Sequence, residues 1–374
     1  MRMANTEIDY SEVRGKKAEC PDGCGLCCLC QPEVLAEERH FFEKNHSRSL
    51  VKSKGPEPYL ALALKKGKGS CVFLNGRRCS VYNNRPTYCR QFPYHIYIGD
   101  KVKVELDLSC RGVWTGKGAD AETEAKEIVA KAEGRIRKAV REAGEIYREF
   151  YHYCKEAGVM GDPEEIRASV CRNIDNFTDI TYLGKVMEMI MTEPVMTLEG
   201  LKGSPEDIEE LNEAAAETAM ESLATDDPVN APVYCDEKWN WNIFLADSSS
   251  GRIDWMLLDD DGDLTKKGSV KASDIKIRPI EPDGKELLKK YISLLNQRES
   301  FLGNVFSLMD ENDYEDDMAN AYYGCLCTTI LDLMWRASML DHFFGTGMGE
   351  RGIMEAIIFF DMDRLDAPTI GAFV

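Results

Sequence analysis

The run Cys20-Pro-Asp-Gly-Cys24-Gly-Leu-Cys27-Cys28-Leu-Cys30 places five thiols within eleven residues. Cysteines used for packing behave as small hydrophobes and have no reason to crowd. Thiolates at short spacings, with glycines between them that permit tight turns, suit soft metals. Cys71, Cys79, Cys89 and Cys110 follow in a segment rich in turn residues. Together these thiols suffice for two four-thiolate sites. A metal held there could do chemistry, or could only staple a small domain short of apolar core.

Local signals around the run place the other thiols. Residues 33–44 read as a short helix with Val34, Leu35, Phe41 and Phe42 inward and Pro32 near its start. Cys71-Val-Phe-Leu-Asn75-Gly76-Arg-Arg-Cys79 is a hairpin signal. A two-residue Asn-Gly loop pairs Leu74 with Arg77 and sends Cys71 and Cys79 to opposite faces. A three-residue loop with Gly76 left-handed sets Cys71 opposite Cys79. The second geometry is expected if both thiols bind one metal. Arg85-Pro86-Thr-Tyr-Cys89-Arg90 reads as one helical turn opened by Pro86. Residues 95–98 and 101–108 read as strands joined by Gly99-Asp100. Val102, Val104, Leu106 and Leu108 alternate with Lys103, Glu105 and Asp107, the pattern of a half-buried strand. His95, on that first strand, reads as a satisfied core residue rather than a ligand.

The chain has 374 residues and a net charge of −19. No apolar leader stands at Met1-Arg-Met-Ala-Asn-Thr-Glu7, and no run of about 18 apolar residues suggests a membrane span. A cytoplasmic, soluble protein is expected, whose reduced cysteines serve metal or redox chemistry instead of disulfides. Residues 1–118 carry 20 Lys and Arg against 13 Asp and Glu, a net of +7, so the remainder carries −26. A basic cysteine-rich part and an acidic remainder can attract and dock, and the basic part could also receive an anion or an acidic partner.

Residues 119–155 read as one long helix or two. Asp162-Pro163-Glu164-Glu165 and Ser204-Pro205-Glu206-Asp207 are helix starts, each a cap residue, a proline and first-turn acids. Residues 225–236 read as a linker. Residues 239–245, 252–258 and 269–277 read as a small antiparallel sheet, with helices from 285 onward. Asp259-Asp-Asp-Gly262-Asp263 fails as a calcium loop, because Gly stands fourth and Val270 takes the place of the bidentate Glu. It reads as a hairpin turn. The glycines between Gly345 and Gly352 read as a helix–helix connection. Cys154, Cys171, Cys235, Cys325 and Cys327 read as structural.

The thiol motifs resemble the YkgJ-type cysteine-cluster family, a CxxCxxCC zinc- or iron-chelating domain. Cys24-Gly25-Leu26-Cys27-Cys28 carries the first block. Cys79…Tyr82…Arg85-Pro86…Cys89-Arg90…Phe92-Pro93 is similar to the second. Cys71 resembles the hairpin cysteine, and Cys110…Gly116…Gly118 the closing block. Three residues separate Cys20 from Cys24 where the family usually has two, so Cys30 is the alternative to Cys20. Arg111 stands where the family often has proline. The resemblance implies iron–sulfur or zinc binding. One branch is similar to flagellin lysine N-methylases, which use S-adenosylmethionine.

The expected fold is α+β: a cysteine-rich metal-binding domain with hairpins (1–118), an acidic helical region (119–230), and a small antiparallel sheet with C-terminal helices (231–374). The expected ligands are Cys20, Cys24, Cys27, Cys28, Cys71, Cys79, Cys89 and Cys110, with Arg85 and Arg90 beside the cofactor. Adjacent Cys27 and Cys28 would strain on a single zinc, which favours an iron–sulfur cluster over zinc. Whether the chain is an enzyme is left open, and no catalytic residue is assigned. Three functions stand: a redox cluster docking a protein partner, an S-adenosylmethionine-dependent protein lysine methylase, and a zinc-stapled interaction module. Nucleic acid is disfavoured, since the acidic part repels phosphates and no aromatic-interleaved basic stripe is present.

Overall fold

A tight turn at Gly99-Asp100 joins the antiparallel strands Tyr94–Ile98 and Val102–Leu106. In this computed structural model, which describes residues 7–53, 58–204, 208–225 and 231–374, that hairpin becomes a four-stranded sheet. Ile8–Asp9 adds in parallel beside Val102–Leu106, and Ala372–Phe373 adds antiparallel beside Tyr94–Ile98. The fold is α+β, with 51 % helix and 16 % strand.

The Val102–Leu106 strand is buried on both faces, not on one. Its charged face is covered by the Pro282–Gln297 and Glu299–Glu311 helices, and burial is tolerated because each polar group finds a partner. Lys103 Nζ donates to the Gln297 carbonyl at 2.7 Å, and Glu105 accepts from the Ser300 amide at 3.1 Å. Arg298, between those helices, is 1 % exposed. It donates to Glu12 at 3.0 Å, to Asp361 at 2.8 Å and to the Leu106 carbonyl at 2.9 Å.

Residues 121–157 form one helix, Ala121–Ala157, capped by Asp120, which accepts from the Thr123 amide at 2.8 Å. Pro163–Arg172 starts where its cap and proline place it, with Asp162 accepting from the Glu164 amide at 2.9 Å. Of the start expected at Ser204–Asp207, residues 205–207 lie outside the described residues; Ile208–Ser222 is helical after them. The Met318–Phe344 helix is apolar around most of its circumference and packs against Ile180–Thr192, Ile208–Ser222 and Glu350–Leu365. Gly345 ends it in a left-handed cap, and the glycines there connect two helices.

Three expectations shift. The helix expected at 33–44 is Arg39–His46, because Val34 is extended, its amide bonded to the Leu60 carbonyl at 2.7 Å, and Glu33 bridges Ala61. The second sheet has four strands in the order Val233–Cys235, Trp241–Asp247, Arg252–Leu258, Leu264–Lys271. Its last strand begins earlier than expected because the Asp259–Asp263 turn is tight enough to pair Leu258 with Leu264. Of the linker expected at 225–236, residues 226–230 lie outside the described residues and 233–235 are strand.

The basic and acidic parts meet at this turn. Lys65 pairs with Asp260 at 3.5 Å, Lys66 with Asp261 at 3.0 Å, and Lys68 with Asp263 at 2.7 Å. The Ser70 amide donates to the Asp260 carbonyl at 2.9 Å. A Cβ on Gly69 would lie 2.5 Å from that carbonyl oxygen, so only glycine permits the approach.

Candidate metal centre

Gly25, at φ +64°, turns the chain between Cys24 and a short 3-10 turn, Leu26–Leu29, which carries Cys27 and Cys28. The Cys28 amide donates to the Gly25 carbonyl at 3.0 Å. The Cys71 amide donates to the Cys28 carbonyl at 2.7 Å and ties the hairpin segment to the run.

The hairpin loop matches neither expected form. Leu74 pairs with Cys79 and Asn75 with Arg78, so the two-residue loop is Gly76-Arg77, both at positive φ. Glycine takes that conformation freely, but arginine must be held in it. The Arg77 guanidinium lies 3.4 Å over the Trp241 ring, donates to the Cys24 carbonyl at 3.3 Å and pairs with Asp260 at 3.4 Å. Cys71 stands outside the hairpin ladder, in a bridge with Leu64. Cys89 sits on the Thr87–Gln91 helix after Pro86, with Thr87 N and Oγ1 each donating to Glu38 at 2.8 Å. Cys110 opens the 3-10 turn Arg111–Val113.

These elements bring the thiols to two adjoining cavities. One, of about 300 Å³, is lined by Cys20, Cys27, Cys28, Cys71, Cys79 and Cys89, with Cys30 as a seventh thiol. The other, of about 470 Å³, shares Cys20, Cys27 and Cys89 and adds Cys24 and Cys110. The first is lined by no histidine, and its one carboxylate, Asp22, pairs with Arg78. That donor set suits a soft metal. Among the described residues no three His, Cys, Asp or Glu side chains are placed so as to hold a metal ion. The thiols line walls rather than converging on a point.

At Cys20, Cys27, Cys30, Cys71, Cys89 and Cys110 the surroundings favour the protonated thiol, whereas the Cys235 thiol beside it holds Cys24 down to about 7. Burial, reinforced by Cys27, pushes the Cys20 thiol up to about 11, and burial pushes Cys30 up to about 12. Cys27 is raised well above the ordinary thiol value by its hydrogen bond with Cys28 and by burial; burial also raises Cys71, Cys89 and Cys110. Arg85 opposes this at Cys20, Cys27 and Cys89 and lines both cavities. Its Nε donates to the Tyr82 carbonyl at 3.0 Å while the guanidinium stacks 3.7 Å over that ring. Arg90 lines the larger of the two and donates to the Asn83 carbonyl at 3.4 Å. His95 faces Asp107 at 3.5 Å and lines neither cavity.

A third cavity, of about 1390 Å³, lies between the cysteine region and the helices and shares Cys30 with the thiol-lined one. Arg336 and Arg364 line it; Arg336 is fully buried among Asp332, Asp363 and Ser222.

Sequence reasoning missed the contribution of the second sheet. Trp241 Nε1 donates to the Cys24 carbonyl at 3.0 Å, and the Cys235 thiol meets that of Cys24 in one apolar cluster. No local signal marks either residue, since both are brought in by the fold.

Residues 19–111 match the family described as "CxxCxxCC: Putative zinc- or iron-chelating domain", about a quarter of the chain. Comparison with curated proteins and with solved structures returns no match.

Proposed function

We propose that the chain binds an iron–sulfur cluster through the thiols of residues 20–110 and uses it in a redox or protein-modifying role. One observation carries this reading: seven thiols surround a space of about 300 Å³. A single zinc, with Zn–S near ~2.3 Å, draws four sulfurs to within about 3.8 Å of one another and leaves no such space. A polynuclear cluster spreads its ligands apart and accommodates adjacent Cys27 and Cys28. Bound there, it would supply one-electron chemistry. The chain's own residues bury Cys24, Cys71 and Cys110 and partly cover Cys27, Cys28, Cys79 and Cys89, and Arg85 offsets the negative charge of ionised Cys20, Cys27 and Cys89.

The test is anaerobic purification with iron, zinc and acid-labile sulfide measured per chain. Near-stoichiometric iron and sulfide is the expected result. Zinc alone, without sulfide, overturns the cluster and leaves a zinc-stapled interaction module.

A second reading, an S-adenosylmethionine-dependent protein lysine methylase, is favoured by the large cavity that touches Cys30. It has room for a small-molecule donor beside the thiols. Saturable S-adenosylmethionine binding supports it, and equilibrium dialysis that shows none removes it.

A further inference from the structure

Arg336 and Arg364 both line the large cavity between the cysteine region and the helices, but their surroundings differ. Arg336 is fully buried and matched by carboxylates: Asp332 accepts from its Nε at 3.0 Å and Asp363 from its Nη1 at 2.5 Å. Arg364, half-buried in the last turn of the Glu350–Leu365 helix, has no carboxylate within ion-pair distance among the described residues. Its Nη2 donates to Asn304 Oδ1 at 2.8 Å and its Nη1 to Thr329 Oγ1 at 3.5 Å, while Nε is buried without an acceptor. A guanidinium carries five N–H donors, so most of this one's capacity is unused. A helix end favours a cation, but a sheltered charge short of both a counter-ion and acceptors still costs stability.

The groups around Arg364 are fixed. Asn304 is buried, and its Nδ2 donates to the Pro368 carbonyl at 2.8 Å, which leaves Oδ1 as the acceptor for Arg364. The same Oδ1 accepts from the Cys325 thiol at 3.4 Å, so Cys325 and Arg364 are neighbours in the cavity wall. Leu308, Phe360 and Met362 supply apolar wall beside them. The cavity also carries Lys52, exposed on the Leu50–Lys52 strand, and Asp366, so the formal charges of its described lining sum to zero. No net positive field draws a phosphate dianion there. A carboxylate matches the guanidinium in planar shape and in single charge.

We propose that Arg364 anchors a small-molecule site in the large cavity, which takes a monocarboxylate with an apolar body. The carboxylate meets Arg364, and the body lies against Leu308, Phe360 and Met362. Every residue the site uses comes from the helices Glu299–Glu311, Met318–Phe344 and Glu350–Leu365. It therefore requires neither the cluster nor S-adenosylmethionine.

Cys325 supplies the readout. Iodoacetate and iodoacetamide alkylate a thiol in the same way, the sulfur displacing iodide and the thiol proton passing to solvent, but only iodoacetate carries a carboxylate. The full chain is labelled with each reagent, and peptide mass spectrometry gives the rate at Cys325. Cys171, exposed and outside the cavity, is the internal reference. The iodoacetate-to-iodoacetamide ratio at Cys325 should be about tenfold or more higher in wild type than in Arg364→Gln, as loss of one hydrogen bond to a charged group predicts. Arg364→Lys should fall between them. In wild type, hexanoate should slow the labelling of Cys325 and hexanamide should not; this arm stands even if Arg364→Gln folds poorly. An equal ratio in wild type and Arg364→Gln overturns the proposal, as does a Cys325 that neither reagent labels. Inorganic phosphate that protects Cys325 where hexanoate fails overturns the carboxylate class. Each of these failures leaves the cluster reading standing, because iron and sulfide per chain decide that separately.

Discussion

At the scale of single residues, several thiols are held in the protonated form that a metal must displace. Cys20 at about 11 and Cys30 at about 12 carry protons at neutral pH. Metal uptake is therefore expected to release protons, and apparent affinity to rise with pH across the neutral and alkaline range. A weakly buffered titration with a pH indicator checks this; uptake without acidification contradicts it. His95 titrates in the opposite sense. Burial opposes its charge, but the facing Asp107 carboxylate outweighs burial and holds it above the ordinary value of 6.5. Its stabilising contribution is complete below that value and is lost as pH rises through the raised one. Urea unfolding of wild type and His95→Gln from pH 6 to 9 should show the difference between them shrinking as pH rises. That the nine thiols of residues 20–110 gather together was legible in their spacing. Cys235 was not, since nothing in the sequence places it beside a residue so far along the chain; the neighbouring Trp241–Cys24 bond spans 217 positions.

At the scale of elements, caps were legible and the hairpin loop was not. Asp162 acts through a bond to a residue two positions on, so sequence alone locates that helix start. The Gly76-Arg77 loop depends on Trp241 and Asp260, which lie in another element. The Val102–Leu106 strand misled for the same reason: its charged face is covered by helices with matching partners. The docking of the Asp259–Asp263 turn on residues 65–70 yields an element-scale prediction. Gly69→Ala forces a Cβ onto the Asp260 carbonyl and should cost about 1–3 kcal/mol, as overpacking does. Thermal melts of the variant check it, and an unchanged melting temperature contradicts the close approach. The lysine–aspartate pairs at the same surface are half exposed and should matter little by comparison.

At the scale of the whole molecule, the charge asymmetry foretold an attraction between the two parts but not how deeply they interleave. Arg298 joins Glu12, Leu106 and Asp361, which come from both ends and the middle of the chain. Arg298→Ala strands two buried carboxylates and should cost about 3–5 kcal/mol. Urea unfolding measures this, and adding Asp361→Asn to the variant should recover part of the loss. The sheet that carries His95 is completed by Ala372–Phe373, with the Val374 amide donating to the Ile96 carbonyl at 3.0 Å. On the ribosome, that edge strand emerges roughly 14–55 s after its partner, at about 5–20 residues per second. Throughout that interval the outer edge of Tyr94–Ile98 stands open, so the sheet beside the cysteine region can close only late in synthesis.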